Sequence, residues 1–172
     1  MRIIAALLAL AASAGIGAAA SAGLNARKKL MQALCSDARA ICDRMELTSG
    51  RLCAMLSKLP NESTRALWQG FADSLGRHEP AAELWKKCVN EQRSDSLRRL
   101  KDEDIASLKA LGEAFAAAGR QAQLNRMKLA INELEARHME AGEDAKRKGK
   151  LYSSLGVVMG FAAAIMIVCC FI

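Results

Sequence analysis

The chain has 172 residues, 52% hydrophobic but only 4% aromatic, with 25 Lys and Arg against 18 Asp and Glu and a formal net charge of +7. This suits one small folded domain and excludes a disordered tail, which lacks the apolar residues to bury a core. Residues 3–24 and 151–172 contain no Asp, Glu, Lys or Arg, so every charged side chain except Arg2 lies between them and a plain soluble enzyme is a poor description.

Taken in chain order, the first element is the uncharged stretch 3–24, which as a helix reaches about 33 Å against a hydrocarbon core of roughly 30 Å. It is predicted to be a transmembrane helix or uncleaved signal anchor. Its richness in Ala and Gly, and the Ala20-Ser21-Ala22 step that resembles a signal-peptidase site, leave a cleaved signal peptide open. In that case the chain is an exported, C-terminally anchored helical structural protein of the envelope.

Residues 25–150 read as helix throughout, with Val89 as the only valine and no alternating β-branched run. The first helix is predicted from Asn25 to Leu47, with Leu30, Met31, Leu34, Cys35, Ala38, Ile41, Cys42 and Met45 on one stripe. Thr48, Ser49 and Gly50 break it. A short helix from Arg51 to Leu59 follows, stopped by Pro60, and Asn61 is placed to cap the next. That helix presents Leu67, Trp68, Phe71, Ala72 and Leu75 and ends at Gly76. Pro80 opens another, presenting Ala81, Leu84, Trp85, Cys88 and Val89. Large aromatics at helical spacing in an aromatic-poor domain are packing residues more often than a functional box.

Asp102, Glu103 and Asp104 complement the positive end of a helix that runs through Ile105, Leu108, Leu111, Gly112 and Phe115 to Gly119. With Arg98, Arg99 and Lys101 they form a compact patch of both signs. It is either a solvated helix entry or a docking surface, for which Arg98, Arg99, Asp102 and Asp104 are the candidates. The last helix of the middle carries Leu124, Met127, Ile131, Leu134, His138, Ala141 and Ala145 in steps of three and four, the seam of a coiled coil. Glu133 with Arg137, Glu143 with Arg147 and Asp144 with Lys148 are acid-first pairs four apart. Without a proline, one rod of about 75 Å could run from Gln121 to Ile172, with a kink near Gly149 as the expected exception.

Residues 151–172 are predicted to be the second transmembrane helix, carrying Leu155, Val157, Val158, Met159, Phe161, Ile165, Met166, Ile167, Val168, Phe171 and Ile172. Gly156 and Gly160 form a G-x-x-x-G step that allows close packing against the first span or against a partner. Arg27, Lys28 and Lys29 follow the first span, and Lys146, Arg147, Lys148 and Lys150 precede the second. These seven are candidate membrane-surface contacts and place the middle in the cytoplasm. The expected fold class is therefore all-α, a compact cytoplasmic helical bundle over 25–150 flanked by two transmembrane helices.

Chemistry has few footholds. The cysteines show no dense framework and no paired metal spacing, which favours buried reduced thiols at Cys35, Cys42, Cys53 and Cys88. Glu135 and His138 make one E-x-x-H step, but di-metal bundles need two, and the other histidine, His78, lacks its glutamate. No glycine-rich phosphate loop is present, so any NTP would be bound by another chain. A nucleic-acid partner would want a basic stripe with stacking aromatics, and neither is visible. No catalytic residue, cofactor, metal or small-molecule substrate is expected.

The stretch L-K-D-E-D-I-A-S-L-K-A-L-G from Leu100 to Gly112, then Gln123, Leu134-Glu135, Ala145 and K-L-Y-S-S-L-G from Lys150 to Gly156, resembles the stage III sporulation protein AB family. Leu67 to Leu75 and Trp85 fall at that family's helical landmarks. Phe115-Ala116 stands in place of Leu-Gly, and Gly119 in place of Asp. The resemblance implies a helical cytoplasmic domain similar to those of type II secretion and type IV pilus platform proteins. It further implies residence in the mother-cell membrane around the forespore and no enzymatic activity. As partners it implies a cytosolic ATPase, stage III sporulation protein AA, and the other members of the sporulation channel complex.

Overall fold

The computed structural model describes residues 2–47, 52–56, 59, 61–76 and 79–169, with the side chains of 2–6, 9–10, 164 and 167–169 left aside. The described residues are all-α: α1 Arg2–Leu47, α2 Leu52–Leu56, α3 Glu62–Ser74, α4 Ala81–Gln92, α5 Asp102–Ala116 and α6 Arg120–Cys169. They divide into two compact units. Unit 1 holds Met1–Lys28 with Glu140–Ile172, and unit 2 is Lys29–Met139.

Unit 2 is a bundle whose core follows the helical stripes. Leu30, Met31, Leu34, Cys35, Ala38, Ile41 and Cys42 are buried on α1, and Leu124, Met127, Ile131 and Leu134 on α6. Burying each of these larger side chains contributes roughly 1.5–3 kcal/mol. The two helices run antiparallel here, as ion pairs of Arg39 with Glu135 at 2.5 Å and Glu46 with Lys128 at 2.6 Å establish. Arg120 donates to the carbonyls of Met45 and Glu46, satisfying the last turn of α1 where the helix dipole favours a cation.

The centre of the bundle is aromatic. Trp68 and Trp85 stack with centroids 4.8 Å apart, and Phe71 and Phe115 pack on Trp85 at 5.0 and 5.7 Å. The Trp85 indole donates to the Leu108 carbonyl at 2.6 Å, and a Cβ at Gly112 would lie 2.7 Å from Trp85 Cδ1, so glycine is what admits the ring. Phe115 also packs on Phe71, with centroids 5.0 Å apart.

Several local expectations are revised. Asn61 occupies the cap position of α3 but makes no side-chain cap bond; its amide donates to Asp37 at 2.6 Å. The short helix spans only Leu52–Leu56, while Arg51 and Pro60 lie outside the described residues, as do Thr48, Ser49 and Gly50. α3 stops at Ser74, two residues before Gly76, with Leu75 as its C-cap. Gly119 takes φ +89, a conformation strained for other residues, and its carbonyl accepts the first bond of α6 from Gln123 N–H.

The two uncharged ends are helical, but among the described residues no helix is long and apolar enough to cross a membrane. At the first end the side chains of residues 2–6 and 9–10 lie outside the described residues. In the second, Phe171 and Ile172 lie outside the described residues.

Candidate functional site

In unit 1 the start of α1 packs on the end of α6 through small residues. A Cβ at Gly17 would lie 2.6 Å from the Tyr152 carbonyl oxygen and 3.2 Å from Gly156 Cα; one at Gly156 would lie 2.8 Å from the Ser13 carbonyl oxygen. Gly149 faces Ser21 in the same manner, with Oγ 3.1 Å from its Cβ position. At Gly17 and Gly156 backbone meets backbone, because neither residue carries a side chain. Gly160 is buried, while Leu7, Leu8, Ile16, Val158, Met159, Phe161, Ile165 and Met166 are all exposed. Unit 1 is thus inverted relative to a water-soluble hairpin: Gly17, Gly149 and Gly160 are buried and Gly156 half-buried, while the large apolar side chains lie outside.

The basic residues bordering this unit are not equivalent. Arg27, expected at the membrane surface, is only 3% exposed. Its guanidinium donates to Asp144 at 3.1 Å and lies 3.6 Å from Glu140, two carboxylates one helical turn apart on α6. Ala141 and Ala145 beside them are buried, and their small size lets α1 come close enough to cover Arg27. The surface assignment of Arg27 is therefore corrected. Asp144 also pairs with Lys148 at 2.6 Å. Lys146, Arg147 and Lys150 are exposed and Lys28 is half-buried; Lys29, also exposed, belongs to unit 2.

The mixed patch before α5 is likewise divided. Asp104 is fully buried and accepts the Lys101 N–H at 3.0 Å, holding the start of α5, so it is no part of an exposed docking surface. Asp102 is exposed and pairs with Arg93, while Arg98 and Arg99 are exposed on the turn that links α4 to α5. Leu97 and Leu100, buried on either side of the two arginines, anchor that turn.

A heavily bonded buried group is Asp37 on α1, which sequence reading passed over. Its carboxylate accepts from the Asn61 amide, the Thr64 hydroxyl and the Trp68 indole, the last at 3.0 Å. The available signal was an acid on the apolar stripe of α1, which must be paired to be buried.

Groups with chemical potential are dispersed. Glu135 of the E-x-x-H step is bonded by Arg39 at 2.7 Å, His138 is half-buried, and His78 lies outside the described residues. Among the described residues no group of three or more His, Cys, Asp or Glu could hold a metal ion. Cys35, Cys42 and Cys88 are buried free thiols; Cys53, expected to be buried with them, is exposed because the short α2 presents it outward. Burial, with Glu135 nearby, pushes the Cys35 thiol up to about 11.

Fold and site together define an all-α protein whose helical bundle shares its two longest helices with a glycine-packed, outwardly apolar helix pair. The chain belongs to the stage III sporulation protein AB family, whose model matches residues 2–168. Its fold is similar to a solved structure of stage III sporulation protein AB, at 19% identity and a TM-score of 0.61, over 70% of this chain and 96% of that one. Among curated proteins, none matches.

Proposed function

We propose that the chain is a non-enzymatic, membrane-anchored platform component of a sporulation complex. Unit 1 sits in the lipid of the mother-cell membrane around the forespore, and unit 2 faces the cytoplasm, where it couples an ATPase of the secretion type, stage III sporulation protein AA, to channel-forming members. The observation that carries the lipid anchoring is the inverted exposure of unit 1. In water that exterior would associate or aggregate, whereas in hydrocarbon it is at home. Glycines and alanines at the contact are compatible with insertion of a tightly packed pair, because there they face the partner helix and not lipid.

The cytoplasmic side and the ATPase partner rest on the flanking cations and on family membership. Arg98 and Arg99, with Asp102 beside them, form the docking surface in this reading.

Cys53 supplies a natural reporter of sidedness, since it is exposed on unit 2 while three other thiols are buried. In full-length chain with Cys169 and Cys170 changed to Ala, the protein should remain in membranes through an alkaline carbonate wash. Cys53 should resist a membrane-impermeant maleimide until the cells are permeabilised. Release by carbonate overturns the anchoring, and labelling in intact cells would instead support an exported envelope protein. Binding of the purified ATPase should be lost on combined reversal of Arg98, Arg99 and Asp102; binding that survives all three removes the docking surface.

A further inference from the structure

Exposed cations in unit 2 are commonly neutralised within the chain: Arg39 by Glu135, Arg65 by Glu62, Lys87 by Glu79 and Lys128 by Glu46. At the border of unit 1, Arg27 and Lys148 are similarly taken up by Asp144. Lys146, Arg147 and Lys150 are not neutralised in this way, a condition they share with Arg98 and Arg99 of unit 2. They are exposed, and among the described residues they have no carboxylate within ion-pair distance. At 100° per residue the three span an arc of about 100° on one flank of α6. Lys150 is followed directly by Leu151, the first of the exposed apolar residues that continue through Leu155 and Val158. Lys28 on α1 lies alongside, its Cε 3.8 Å from the Cβ position of Gly142.

Three unneutralised cations against an apolar surface call for an anion joined to hydrocarbon. A soluble polyanion would satisfy the charge but gain nothing from Leu151 and Leu155, and a nucleic acid would want aromatic platforms that this flank lacks. A phospholipid supplies both parts, and Arg147 offers a planar fork that suits a phosphate. Zwitterionic lipids cancel their phosphate with their own ammonium. We infer that Lys146, Arg147 and Lys150, flanked by Lys28, form a binding site for the headgroups of anionic phospholipids. The inference rests on the anchoring proposed above and sharpens it, because four of the seven bordering cations then select the lipid while Arg27 and Lys148 hold the protein together.

The test is native mass spectrometry of the full chain released from mixed micelles containing equal phosphatidylglycerol and phosphatidylcholine. The wild type should retain phosphatidylglycerol at least about five-fold over phosphatidylcholine, the preference falling as salt is raised, as expected of basic residues at a lipid surface. Combined Lys146→Gln, Arg147→Gln and Lys150→Gln should bring retention close to parity while the variant stays in carbonate-washed membranes. Lys109→Gln with Arg126→Gln, on unit 2, should leave the preference intact. Parity in the wild type, or undiminished preference in the triple variant, overturns the lipid site. Displacement of the lipid by millimolar inorganic phosphate would do so too, since the site would then read phosphate alone. Failure of the wild type to remain in carbonate-washed membranes is a separate result, which removes the anchoring itself.

Discussion

Removing the carboxylate of Asp37 tests the bundle at its most committed polar point. Asp37 and Thr64 are fully buried and Trp68 nearly so, and three donors converge on the one carboxylate. In Asp37→Ala the half-exposed Asn61 amide can turn to water and the Thr64 hydroxyl keeps its longer bond to the Asn61 carbonyl at 3.3 Å, but the Trp68 indole is left without its acceptor. One orphaned buried donor at about 1–3 kcal/mol and one weakened bond at about 1 kcal/mol give an expected loss of about 3 kcal/mol. For a chain of this size that lowers the melting midpoint by about 6–12 °C. Asp37→Asn keeps an acceptor oxygen and should lose about half as much. The decisive variant combines Asp37→Leu, Thr64→Val and Trp68→Phe, which removes acceptor and buried donors together and should recover most of the loss. Thermal unfolding of full-length protein, followed by circular dichroism and tryptophan emission where the indoles remain, reads all three. A midpoint for Asp37→Ala within about 3 °C of wild type, or a triple variant as unstable as the sum of its parts, refutes the reasoning.

Gly112→Ala places a methyl 2.7 Å from Trp85 Cδ1, and because the ring is hemmed in by Phe71 and Phe115 it should cost about 1–3 kcal/mol in the same melting assay. Gly156→Ala sets a Cβ 2.8 Å from the Ser13 carbonyl oxygen, a backbone atom that cannot swing aside, so the helix pair of unit 1 must spread. A disulfide engineered as Ser21→Cys with Gly149→Cys, whose Cβ atoms would lie 3.9 Å apart, should then form at a much reduced rate, and an unchanged rate would remove the crossing from the account. The Cys35 thiol, held neutral to about 11 in the fold against an ordinary 9.0, makes the folded state bind the extra proton between those values. Stability should therefore be intact below pH 9 and fall as pH rises toward 11, a slope of roughly 1 kcal/mol per unit at most that Cys35→Ala flattens. In native protein at pH 8, Cys53 should react with a maleimide far faster than Cys35, Cys42 or Cys88, and the four should converge in denaturant.

What was readable from sequence alone is what periodicity and composition control. A stripe at steps of three and four has only one way to bury itself as a helix, so the apolar faces of α1, α3, α4, α5 and α6, and the packing role of Trp68 and Trp85, follow from spacing. The run from Leu100 to Gly112 likewise carried the family. Charge did not decode in the same way, because a charged residue's role depends on what faces it from another element. Arg27 sits in a basic cluster by sequence and in a carboxylate clasp by structure, since Glu140 and Asp144 approach it from more than a hundred residues away. Asp104 looks like surface charge and is a buried helix-start acceptor; Asn61 looks like a cap and instead serves Asp37. The direction in which glycine acts also needed the fold. Gly156 could have met lipid, a partner or α1, and only the antiparallel pairing brings Gly17 to it. Local pattern sets which residues leave water, whereas the partner of each buried charge and each bare backbone is settled by which helices meet.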